Sequence, residues 1–200
     1  MTGIPTFQRL DLPDAEIGFA PAFFPEPEAD RLFAAIRDMS DWKQETIRLY
    51  GRSIDLPRLT AWYGDEGTGY RYSGIDNTPM PWTPVLLEVK QAVEAATGET
   101  FNSVLLSRYR SGRDSVAWHA DDEREFGGNP AIASVSFGAT RTFQLKHKTR
   151  KELKAGVELT HGSLLVMRGG TQHLWLHRIP KTTRHVGERI NLTFRTIRRH

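Results

Sequence analysis

From Gly98 to the C-terminus the apolar residues come in short runs and never in long ones. Six segments of 5 to 8 residues stand out: 103–109 (SVLLSRY), 131–138 (AIASVSFG), 142–147 (TFQLKH), 163–167 (SLLVM), 173–177 (HLWLH) and 189–195 (RINLTFR). Turn-forming stretches such as RSGRD, GGNP, HG and RGG separate several of them, which predicts strands. Before Gly98 two helices read clearly, and TAWYGD and GYRYSG add strands or loops. Residues 27–39 (PEADRLFAAIRDM) put Leu32, Phe33 and Ile36 on one face. Residues 83–98 have Thr83 as N-cap, Pro84 at the first helical position, a stripe of Val85, Leu86, Val89 and Val93, and Gly98 past the end. Helices first and many short strands afterwards predict an α+β chain with a sandwich or barrel of jelly-roll type. Two hundred residues make one domain, or at most two small ones, and no internal repeat is present.

The final strand, RINLTFR, carries the most information. Side chains alternate between faces in a strand, so Arg189, Asn191, Thr193 and Arg195 share one face and Ile190, Leu192 and Phe194 the other. The second face packs on a core or a covering helix. The first is wholly polar, with its two arginines roughly 20 Å apart at full extension. On a concave sheet face they suit the carboxylates of a small diacid.

The stretch AWHADDEREF (117–126) puts a histidine beside several carboxylates. On an extended segment His119 and Asp121 project from the same face and can bind one metal. His177, at the end of HLWLH, completes the composition of a two-histidine, one-carboxylate facial triad. His161, His173 and His185 compete for the third position, and His173 shares a strand face with His177 on this reading.

Composition narrows the setting. There is no cysteine, so disulfides, thiolate metal sites and cysteine nucleophiles are excluded. No run approaches a membrane-spanning length and the N-terminus lacks a signal-peptide pattern, so a cytoplasmic location is expected. Residues 141–200 hold 14 Lys/Arg against 3 Asp/Glu, a net of +11 in a chain whose overall charge is +3. A basic C-terminal third suits a polyanion such as nucleic acid.

The blocks LPRLTAWYGD, YRYSG, SRYRSGRDSVAWHADDE, IASVSFGATRTF, HGSLLVM, HRIPKT and RINLTFR together resemble the AlkB family of iron(II)- and 2-oxoglutarate-dependent dioxygenases, in the branch of the human DNA-repair homologues. The resemblance runs from about residue 45 to 198. It implies a double-stranded β-helix (jelly-roll) core at 99–198, a nucleotide-recognition lid at 45–80, and an N-terminal extension and helix at 1–44, all in a single domain and as a monomer.

The resemblance also implies roles. His119, Asp121 and His177 match the iron ligands. Arg195 is expected to grip the distal carboxylate of 2-oxoglutarate and Arg189 its end near the metal, with Tyr109, Asn191 and Thr193 lining the same pocket. Ser107 departs from the asparagine common in the family, which predicts a modest effect on co-substrate affinity. On the substrate side, Tyr72 matches an aromatic that stacks a flipped base against His119, with Tyr70 beside it, and Glu123, with Asp122 as neighbour, matches an acid that contacts the base. A cationic N-methylated base suits both an electron-rich ring and a carboxylate. Leu49 and Tyr50 match a hairpin that wedges into duplex DNA. Arg58, Arg110, Lys146, Lys148, Arg150, Arg198 and Arg199 are expected on the substrate or phosphate side.

The implied activity is oxidative demethylation of 1-methyladenine or 3-methylcytosine in DNA with O2 as co-substrate, releasing formaldehyde and succinate. Methylated RNA or protein as substrate, or a non-catalytic nucleic-acid-binding module, are the alternatives.

Overall fold

The computed structural model describes residues 6–198 apart from 40, 50, 51, 73 and 74, and leaves aside the side chains of 47–49, 52, 70–72 and 75–77. In chain order the first half holds β1 (Gln8–Arg9), β2 (Glu16–Ala20), α1 (Glu26–Arg37), β3 (Lys43–Leu49), β4 (Arg52–Gly64), β5 (Tyr70–Tyr72), β6 (Ile75–Asn77) and α2 (Pro84–Thr97). The second half holds β7 (Ser103–Tyr109), β8 (Val116–His119), β9 (Ile132–Gly138), β10 (Arg141–His147), β11 (Lys154–Leu159), β12 (Ser163–Arg168), α3 (Thr171–Leu174), β13 (Trp175–Ile179) and β14 (Arg189–Arg195).

Two antiparallel sheets form the body. The larger runs β1-β2-β12-β9-β14-β7-β4-β3 and the smaller β11-β10-β13-β8, while β5 and β6 pair separately. This is the expected jelly-roll sandwich. Its larger sheet also takes strands from outside 99–198: β2 pairs with β12, and β4 with β7.

The helices cover the outer face of the larger sheet. Leu32 and Ile36 of α1 and Leu86, Val89 and Val93 of α2 meet Ile190, Leu192 and Phe194 of β14 in one core. α2 forms for the reasons its sequence shows: Thr83 accepts the Leu86 N–H, Pro84 opens the helix, and Gly98 closes it with φ 71°. A second core fills the space between the sheets, built from Ile17, Ile132, Phe143, Leu145, Leu165 and Trp175 among others. Among the described residues no helix is long and apolar enough to cross a membrane.

One predicted strand changes character. HLWLH was read as a strand over 173–177, but residues 171–174 form the helical turn α3 and the strand begins at Trp175. The reason is the Gly169-Gly170 turn just before it, whose carbonyl at Gly170 accepts the N–H groups of His173 and Leu174. His173 therefore does not share a strand face with His177.

β9 ends at Gly138, whose φ of 83° lies in the left-handed region. A Cβ there would overlap the Glu188 carbonyl oxygen, which also receives the Ala139 N–H at 2.8 Å. Gly138→Ala should cost at least about 1 kcal/mol, read as a lower denaturant midpoint at unchanged slope. An unchanged midpoint would show that the turn yields freely.

Candidate active site

β14 lies between β7 and β9, with Arg189 opposite Tyr109, Asn191 opposite Ser107 and Arg195 opposite Ser103. Its apolar face is spent on the helices, so its polar face points between the sheets. There it lines a cavity with Ser107, Tyr109 and Ser134 on one side and Phe143, His119, His177 and Ile179 on the other.

Across this cavity the smaller sheet brings two histidines together. His119 ends β8 and sits directly opposite His177 of β13, with ring centroids 4.2 Å apart. Asp121 follows two residues past the strand end. The ligand atoms of His119, Asp121 and His177 lie within 4.8 Å of one another, a cluster that can hold a metal ion. His119 Nδ1 lies 2.9 Å from the Ala117 carbonyl; as donor there, it leaves Nε2 free to ligate. His177 is stacked on Phe143 at 5.0 Å, with its Nε2 3.9 Å from Asp121 Oδ2. His161 instead accepts the Gly138 N–H at 2.8 Å, His173 meets the Gly128 carbonyl, and His185 is exposed.

The electrostatics prepare these groups as ligands. Burial would raise the Asp121 pKa, but the Arg195 guanidinium and the two histidines outweigh it and hold the carboxyl at about 2. Burial, aided by His119 and opposed by Asp121, holds His177 down at about 3, so its imidazole is neutral at pH 7. A carboxylate and a neutral imidazole are forms that bind a divalent cation.

The two arginines occupy opposite ends of the cavity, in the reverse of the expected order. Arg195 Nη2 donates to Asp121 Oδ1 at 2.7 Å, so Arg195 is the arginine beside the metal ligands. Arg189 is the distant one. Six residues of extended strand separate them, and the way the two sheets face each other across the cavity sets which end meets Asp121. Arg189 is 1 % exposed, with its guanidinium 5.0 Å from the Tyr109 ring centre and Nη2 donating to Ser136 Oγ at 3.0 Å. Its Nε and Nη1 meet no protein acceptor among the described residues. A buried guanidinium with unmatched donors is a receptor for an anion. Asn191 donates to Ser134 Oγ and the Val135 carbonyl, both at 2.8 Å, and accepts from Thr193 Oγ1 at 3.0 Å.

The other predicted residues separate into two groups. Arg58 lines the cavity from β4, and Glu123 is half-buried, its Oε2 without a hydrogen-bond partner among the described residues. Burial, reinforced by the Asp121 charge, pushes the Glu123 carboxyl above its usual range. Several basic residues expected to be free for phosphate are engaged within the chain. Arg110 makes a forked pair with Asp114 at 2.8 and 3.0 Å, Lys148 holds Asp122 at 2.8 Å, and Arg150 pairs with Asp14. Arg198 packs against Gly127, and Lys146 lies 4.4 Å from the Trp118 ring centre. Tyr70 and Tyr72 belong to β5 and Leu49 to β3, but their side chains, and all of Tyr50 and Arg199, lie outside the described residues.

The sequence reading missed Phe143, Ser134, Ser136 and Gln172. Phe143 carried a signal, since alternation along β10 turns Phe143, Leu145 and His147 inward. Gln172 carried none, because it sits in a turn that only the tertiary fold brings to Asp121.

Residues 16–195 match the model of the 2OG-Fe(II) oxygenase superfamily. The chain is 44% identical to human alpha-ketoglutarate-dependent dioxygenase alkB homolog 3 over 186 residues, covering 88% of this chain and 64% of that protein. It is 40% identical to the mouse DNA oxidative demethylase ALKBH2 over 184 residues, covering 87% of this chain and 77% of that protein. The chain belongs to the AlkB family of 2OG-Fe(II) oxygenases. The solved structure of OsALKBH1 superposes on this AlkB-family chain with a TM-score of 0.68 at 15% identity, covering 96% of it and 100% of the other, and shares its fold. The chain spans 62–66% of the mammalian alkB homolog 3 proteins it matches. Its donor set fits the family's metal: two imidazoles and one carboxylate, without a thiolate, are the facial triad of non-haem iron. The partnerless donors of Arg189 fit the family's dicarboxylate.

Removing the Arg195 guanidinium leaves Asp121 buried without its strongest countercharge. Arg195→Ala should destabilise the metal-free protein by on the order of 3 kcal/mol at pH 7. The Asp121 carboxyl is depressed in the folded chain to about 2. The contribution is therefore full above the unfolded value near 3.9 and lost as the pH falls through about 2. Denaturant midpoints of the two proteins should converge over that window. A difference independent of pH would assign the loss to packing.

Proposed function

We propose that this chain oxidatively demethylates N-methylated bases in nucleic acid, with DNA as the principal substrate. The observation that carries this reading is the His119–Asp121–His177 cluster facing the same cavity as the partnerless donors of Arg189. The names of the relatives, two of which are an alpha-ketoglutarate-dependent dioxygenase and a DNA oxidative demethylase, support the same direction.

Iron(II) with 2-oxoglutarate and O2 supplies, when bound, the oxidation of an N-methyl carbon, yielding the unmethylated base still in its strand, formaldehyde, succinate and CO2. The protein supplies binding and orientation. His119, Asp121 and His177 hold the metal. Arg189 would take a carboxylate of 2-oxoglutarate, with Tyr109 and Ser107 lining the same cavity. Arg195 holds Asp121 in place and offsets negative charge at the metal end. Asn191 and Thr193, already bonded to each other, keep the cavity wall rigid. Glu123 favours a cationic base over a neutral one, and the family resemblance assigns the aromatic partner of that base to Tyr72. The outer part of the β3–β4 pair and the β5–β6 pair act as the lid where the damaged base leaves the stack, while Leu59–Gly64 of β4 belong to the larger sheet. The positive C-terminal third supplies the polyanion field, although the pairing of Arg110, Lys148 and Arg150 with carboxylates narrows which cations reach phosphate.

The test is formaldehyde release from an oligonucleotide carrying one 1-methyladenine. Release should require iron(II), 2-oxoglutarate and oxygen together and should vanish in His119→Ala. Single-stranded DNA, duplex DNA and RNA arms rank the substrates. Succinate without formaldehyde would mean an oxygenase acting elsewhere, and neither product would leave a binding module.

Arg189→Met keeps the length of the side chain and removes the charge. It should weaken 2-oxoglutarate binding by about 100-fold or more, some 3 kcal/mol, because the incoming carboxylate loses its buried counterion. Metal affinity should not change. Calorimetric titration of 2-oxoglutarate into metal-loaded protein reads this, and equal affinities would sink the assignment.

A further inference from the structure

Asp121 is the only member of the ligand cluster that no strand holds. His119 and His177 belong to a sheet ladder, whereas residues 120–123 have no regular structure. The peptide of Asp121 is held instead by a side chain. Its N–H donates to Gln172 Oε1 at 2.9 Å. Gln172 is 1 % exposed, and its Nε2 lies 3.3 Å from Met167 Sδ. A thioether offers only a weak acceptor and a peptide N–H only a donor, so the amide has one sensible orientation, oxygen toward Asp121.

Gln172 is itself anchored on both sides. Thr171 Oγ1 accepts the Glu16 N–H at 2.9 Å and donates to the Arg168 carbonyl at 2.6 Å. His173 meets the Gly128 carbonyl, at the far end of the loop that begins after His119. The turn α3 thus brackets the carboxylate loop, tying it to β2 behind and to residue 128 ahead. Burying a primary amide beside a sulfur is costly unless its oxygen does something needed.

We infer that Gln172 is a positioning residue for the metal carboxylate. It holds the Asp121 peptide where Oδ2 faces His177 at 3.9 Å while Oδ1 stays on Arg195 at 2.7 Å. The inference rests on the reading of His119, Asp121 and His177 as a metal site, and not on the substrate. Groups that orient a ligand from behind typically change metal affinity by roughly 10- to 100-fold when removed.

The experiment uses the full chain, stripped of metal and titrated with cobalt(II) alone, whose visible absorption reports coordination geometry. Gln172→Met has the same length and no acceptor. It should bind cobalt(II) roughly 10- to 100-fold more weakly, with an altered spectrum even at saturation. Gln172→Glu keeps an acceptor oxygen in the same place and should restore the wild-type spectrum. Should Gln172→Met fail to fold, Gln172→Asn, which draws the acceptor back by one methylene, carries the same expectation as the methionine variant. A wild-type spectrum and affinity in the variant lacking the acceptor would overturn the inference, as would equal impairment in Gln172→Met and Gln172→Glu. Wild-type protein that binds no cobalt(II) would instead bring down the metal reading itself, before any variant is made.

Discussion

The pairing of β14 between β7 and β9 is the constraint on which the site depends. A central strand has no free edge, so its backbone groups are used up on both sides, and here both of its faces are covered as well. One face of RINLTFR closes the core beneath α1 and α2. The other has to be buried as well, and it carries two arginines, an asparagine and a threonine. The inside of this sandwich is therefore polar along one line by construction. Everything in the cavity follows from meeting the hydrogen-bonding needs of that line.

Those needs are met unevenly, and the unevenness is informative. Arg195 is answered by Asp121, and Asn191 by Ser134, Val135 and Thr193. Arg189 is answered at one nitrogen by a serine and otherwise lies over an aromatic ring. A fully buried charge with so little compensation is tolerated where a ligand completes it. The Arg195–Asp121 pair has a second consequence: it lowers the pKa of a carboxylate that burial by itself would raise. Metal-ligand chemistry and co-substrate capture are in this way two uses of one strand.

The loops refine what the sheets begin. Asp121 reaches the metal cluster from a loop, and a single buried glutamine in a four-residue turn holds its peptide. The surface cations show the same economy. Lys148 and Arg150 pair with Asp122 and Asp14, and Lys146 lies over Trp118, so net charge by sequence overstates the cationic surface open to a polyanion.

Much of this was legible in the chain because it depends on local periodicity. The alternation of 189–195, the caps and stripe of 83–98, and the i, i+2 placement of His119 and Asp121 all survive without knowledge of distant neighbours. The family resemblance added His177 as the third ligand. What the tertiary structure alone decided concerns partners far apart in sequence. The packing of the two sheets determined that Arg195 and not Arg189 meets Asp121, because a strand read by itself does not say which of its ends faces a loop of the other sheet. The Gly169-Gly170 turn converted the start of HLWLH into α3 and brought Gln172 beneath Asp121, 51 residues away in sequence. Side-chain pairing removed Arg110, Lys148 and Arg150 from the free cations, since charge counted along a chain carries no information about which opposite charge folds against it.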